Sequence, residues 1–128
     1  MDFTEIFKRK EKFEQLEVLI KTLKEEQQTA ELAFIQDHNL NITDFAEIED
    51  EKEFYRLLEE FHSLPDIIAL FAKIRSTEVE IRKAEDELLE AIISISPDDI
   101  AAGIRRFFHI HTFRQKTIAI FMKRIRDL

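Results

Sequence analysis

The chain has 128 residues, of which 45% are hydrophobic and 36% charged, with one glycine, two prolines, no cysteine and a net charge of −8. So few turn-forming residues exclude a many-stranded sheet and predict long helices forming one domain over residues 1–128, while the lack of cysteine excludes disulfides and thiolate chemistry. Charged residues soon after Met1 and the absence of any apolar run near 20 residues predict a cytoplasmic protein with no membrane contact.

Asp2 or Thr4 can cap a first helix in which Ile6, Phe13, Leu16, Ile20, Leu23, Ala30 and Phe34 recur at spacings of three, four and seven. Gln27 interrupts this apolar seam. The pattern stops at Asp37-His38-Asn39, and Asn39-Leu40-Asn41 reads as a loop. A second, shorter helix is expected from Thr43 or Asp44 to His62, with Asp50 as a place where it can restart. Ser63-Leu64-Pro65-Asp66 has the form of a capping box with proline in the first turn of a third helix.

The third seam is Ile67, Phe71, Ile74, Ile81, Leu88, Ile92 and Ile95, with Glu78 and Glu85 on the same side. Ser96-Pro97-Asp98-Asp99 combines a cap, a proline and two first-turn acids, which predicts a sharp hairpin into a fourth helix running unbroken to the end of the chain. Its buried face is expected to hold Ile100, Ile104, Phe107, Ile118, Phe121 and Ile125. Gly103, inside that helix, costs about 1 kcal/mol in helix propensity, which a closely approaching neighbour helix would explain.

Three of these helices would each span roughly 45 to 50 Å and the second only about 28 Å. The sequence therefore predicts an all-α, elongated antiparallel bundle of three long helices and one shorter one, with a protruding C-terminal helical hairpin. That overhang would expose Leu88, Leu89, Ile92, Ile93, Ile95, Ile100, Ile104, Phe107 and Phe108 as an apolar tip, the alternative being a kinked first helix or sliding of the helices that packs them internally. The function this implies is a non-enzymatic protein interaction module (adaptor, chaperone, inhibitor or assembly subunit) that forms a homodimer or docks on another protein through the tip.

Polar residues within the seams predict a second feature. Hairpin register sets Arg114 beside Glu78, with His111 one turn away and Glu85 and Gln27 nearby, a polar layer that would fix helix register rather than perform acid–base chemistry. No catalytic, cofactor-binding or metal site is expected: Glu59 and His62 form a single Glu-x-x-His, and His109 and His111 lie about 200° apart on a helix.

Charge supplies the alternatives. From Pro97 onward there are seven basic and three acidic residues, which leaves the rest of the chain at −12. Arg105, Arg106, Lys116, Lys123 and Arg124 could follow a phosphate backbone, with Arg105, His109, Lys116 and Lys123 within about 40° of one face of an unbroken helix. Conversely, the acidic body, densest at Glu47, Glu49, Asp50, Glu51 and Glu53, could mimic a nucleic acid.

Overall fold

The computed structural model describes residues 3–127, and among them the chain is all-helical with no strand. Five α-helices follow in order: α1 (Thr4–Asp37), α2 (Glu51–His62), α3 (Pro65–Ile95), α4 (Asp98–Arg106) and α5 (His111–Arg126), with a 3-10 turn at Phe45–Glu47 before α2. They assemble into two compact units. One comprises the chain through Leu16 together with Glu80 onward, and the other is Glu17–Val79.

In the unit Glu17–Val79, α1 ends where its periodicity fails. Asn39 takes the left-handed conformation (φ 54°), the Leu40 amide donates to the Ile35 carbonyl at 3.3 Å, and the Asn39 amide to Gln36 at 3.0 Å. This is the two-bond closure that satisfies the last carbonyls of a helix, with asparagine in the position glycine usually takes. Leu40 then packs on a core of Phe34, Ile35, Phe45, Leu57, Phe61 and Ile67. Three of its rings meet in tilted or edge-on pairs, at 5.3 Å for Phe34 with Phe61, 5.4 Å for Phe45 with Phe61 and 5.8 Å for Phe34 with Phe45.

The second helix is shorter than its seam suggests. Asp44 caps only the 3-10 turn, through Ala46, and Asp50 caps α2 by accepting from the Lys52 amide at 3.0 Å. The restart at Asp50 is thus the real helix start. Pro65 opens α3, where its missing N–H costs nothing, but Ser63 does not cap it: its hydroxyl donates backward to the Glu60 carbonyl. Asp2 lies outside the described residues, and α1 begins at Thr4.

In the other unit, the expected unbroken fourth helix is corrected. Phe107–His109 form a turn, Ile110 is extended, and two helices of 9 and 16 residues replace one. Ser96 also differs from expectation, since its hydroxyl donates to the Ile92 carbonyl at 2.7 Å and closes α3 while Pro97 takes the cap position of α4. The break lets both α4 and α5 cover α3. Leu88, Leu89, Ile92 and Ile93 are buried in one cluster with Ile6 of α1, Ile104 of α4, and Ile118, Met122 and Ile125 of α5, while Ile95 and Phe108 pack against it.

This corrects the exposed apolar tip. Each of these side chains gains about 1.5 to 3 kcal/mol from full burial, so a break costing a few backbone hydrogen bonds is outweighed by closing the cluster. Of the expected tip, Ile100 and Phe107 do remain exposed, at 46% and 41%, so they leave the buried face on which the helix pattern also placed them.

Candidate functional site

Arg114 holds the α4–α5 turn to α3. Its backbone N–H donates to the Ile110 carbonyl at 3.0 Å, which places it in the first turn of α5. Guanidinium Nη1 donates to the Phe108 carbonyl at 3.3 Å, Nη2 pairs with Asp86, and the cation lies 4.7 Å from the centre of the Phe108 ring. Nε sits 2.6 Å from Glu85 Oε1, a contact of charges without the alignment of a hydrogen bond. Glu85 is 6% exposed, so a carboxylate this dry is compensated chiefly by Arg114.

Only part of the expected polar layer therefore forms. Glu85 and Arg114 meet, but Glu78 pairs with Lys24 at 4.0 Å, Gln27 donates to Glu31 at 3.2 Å, and His111 is exposed. The expected Arg114–Glu78 pairing is two helical turns off along α3, because the register assumed no turn between α4 and α5. Asp86 and Phe108 complete the layer and were not singled out in the sequence. Their signal was adjacency: Asp86 follows the seam glutamate, and Phe108 lies six residues before the seam arginine.

A second feature is the outer face of α4. At 100° per residue Asp99, Gly103 and Arg106 lie within about 60° of one another, and Phe107 and Ile100 lie together along one side of them, toward Ile104. Ile104, on the inward side, is buried. Among the described residues a Cβ built at Gly103 meets nothing within 4 Å, so no described neighbour requires the glycine. Phe107 packs its ring 5.3 Å from that of Phe113, and Ile110, just after the turn, is exposed.

The basic residues divide between two helices. Arg105 and Arg106 end α4, with Arg105 3.8 Å from Glu90, while Lys116, Lys123 and Arg124 lie exposed on α5. The single stripe expected on one helix is broken by the turn at Phe107–His109. Of the acidic run, Asp50 caps α2, Glu47 bonds Thr43, and Glu53 pairs with Arg56, whose guanidinium holds the Glu53 carboxyl below its ordinary range. These acids serve local helix ends.

His38 closes the other unit's loop. Its Nδ1 is 2.8 Å from the Phe34 carbonyl and its Nε2 3.2 Å from Glu60, so the doubly protonated ring satisfies both acceptors and its pKa is raised. His62 stacks edge-on against Phe71 at 5.3 Å, beside Glu59. Among the described residues no group of three or more His, Asp or Glu side chains is placed to hold a metal ion, and no helix is long and apolar enough to cross a membrane.

No protein-family model, curated protein or solved structure matches the chain.

Proposed function

We propose that the protein is a non-enzymatic helical interaction module, acting in the cytoplasm as an adaptor, chaperone, inhibitor or assembly subunit, that engages protein through the outer face of α4. The carrying observation is the exposure of Ile100 on α4 and of Phe107 at its C-terminal cap, while Ile104 of the same helix is buried. The finer picture of helices packed as antiparallel neighbours is supported by the short Ser63–Leu64 and Ser96–Pro97 connections, a length that favours antiparallel packing of consecutive helices. The expected interface shrinks accordingly from the whole hairpin tip to Ile100, Phe107 and the turn after them.

The test is photocrosslinking with p-benzoylphenylalanine in place of Phe107, in cells producing the protein, with the exposed Tyr55 replaced as a control. A protein adduct specific to position 107 is expected. Equal labelling at both positions, or none, would remove the reading.

The second reading is nucleic-acid binding through α5, favoured by Lys116, Lys123 and Arg124, for which no acidic partner is present among the described residues. Fluorescence anisotropy with DNA and RNA at low salt tests it, since phosphate contacts give steeply salt-dependent affinity. A flat titration disposes of it.

A further inference from the structure

The outer face of α4 is complementary to itself. The helix begins with Asp98 and Asp99 and ends with Arg105 and Arg106, so its surface charge reverses along nine residues. Neither Asp99 nor Arg106 has a side-chain partner among the described residues, and both share the face that holds Gly103. An antiparallel two-fold crossing centred between Ala102 and Gly103 would set Asp99 of one copy beside Arg106 of the other, and the symmetry would repeat the pair.

The glycine supports the same geometry. In the interior of a helix it costs up to about 1 kcal/mol relative to alanine, and none of the described residues occupies the space a side chain would take. Two backbones meeting at Gly103 use that space, and they bring Ile100 and Phe107 of each copy against the other. Both apolar side chains stay exposed without such a partner.

We infer that α4 is a two-fold self-association surface and that its occupant is a second copy of this chain, antiparallel and crossing between Ala102 and Gly103. This deepens the interaction-module reading and rests on it. A nine-residue helix and its turn make a small interface, so the dimer belongs to the weak, reversible class.

Charge reversal tests it by sedimentation equilibrium of the full chain. Asp99→Arg and Arg106→Asp, each alone, place like charges together and are expected to weaken self-association at least about tenfold. An equimolar mixture of the two variants, and the double variant Asp99→Arg/Arg106→Asp, should recover it, because each restores opposite charges at both contacts. Gly103→Leu should fold, as judged by circular dichroism, and remain monomeric, since the added side chain fills the crossing point.

Rescue in the mixture, together with loss in Gly103→Leu, supports the inference. A wild-type chain that stays monomeric at millimolar concentration, singles that associate normally, or a mixture that stays dissociated overturns it. The position-107 crosslink separates the two claims: an adduct with a different protein retains the interaction module and rejects self-association, whereas no adduct rejects both.

Discussion

Arg114 and Glu85 form a nearly dry ion pair, with Nε 2.6 Å from Oε1 and the two side chains 16% and 8% exposed. A buried pair of this kind is costly to break from one side only. Arg114→Met strands the Glu85 carboxylate and is expected to destabilise the protein by about 3–5 kcal/mol, while Glu85→Leu/Arg114→Met together should recover most of that loss. Arg114→Lys should fall between, because an ammonium cannot serve Glu85, Asp86 and the Phe108 carbonyl with one planar fork. Urea unfolding of the four proteins checks the order.

Leu88 and Phe61 centre separate apolar clusters and neither is exposed to solvent. Leu88→Ala is expected to cost about 2–5 kcal/mol and Phe61→Ala about 3–5 kcal/mol. Amide hydrogen exchange should show protection falling most in α3 around Leu88 for the first variant and in α2 for the second.

Gly103→Ala should stabilise the monomer by about 0.5–1 kcal/mol, since the new methyl meets nothing within 4 Å and the helix loses its least favourable residue. Thermal unfolding at low micromolar concentration, where association is negligible, provides the comparison. A lower melting temperature would mean that the space is occupied.

Asn39 is the only non-glycine residue with positive φ among those described. Asn39→Ala is expected to cost about 1 kcal/mol through the left-handed strain of a Cβ, and Asn39→Gly to be neutral or mildly stabilising. Helicity and urea midpoints of both variants distinguish this closure from an incidental loop conformation.

His38 carries the pH dependence that can be assigned to one contact set. The Phe34 carbonyl and then Glu60 raise its folded pKa, so protonation is favoured by folding. The stabilisation is fully present below the unfolded value near 6.5 and is lost as pH rises through the higher folded value. His38→Gln should therefore lower the urea midpoint at pH 5.5 and leave it closer to wild type at pH 8.5. An unchanged difference at the two pH values would show that the ring's charge contributes nothing.

The sequence made the long helices legible because their apolar spacing persists for eight or nine turns, and it marked their ends where local chemistry acts alone, at Asn39, Asp50 and Pro65. It failed at Phe107–Ile110, where neither glycine nor proline announces a break. There the deciding forces are tertiary: the cluster around Leu88 and Ile92, and the Arg114 contacts with Phe108, Glu85 and Asp86. That one unseen turn accounts for both larger corrections. It covers the apolar tip, and it moves Arg114 away from the register that would have paired it with Glu78. Ser63 and Ser96 show a smaller ambiguity, since a serine between two helices can close the first as readily as cap the second.

The two compact units differ in how the chain reaches them. Glu17–Val79 is one continuous stretch, so every partner in its core has been synthesised once the first half of α3 is made. Ile6 belongs to the other unit, and its neighbours Leu88, Ile104 and Ile125 are encoded some 80 to 120 residues later. Closing that long interval is slower than local pairing, and domains form in the order their sequences emerge. During synthesis the N-terminal turns of α1 thus wait, with Ile6 uncovered, until α5 is complete, and this interval is when the nascent chain most needs protection from aggregation.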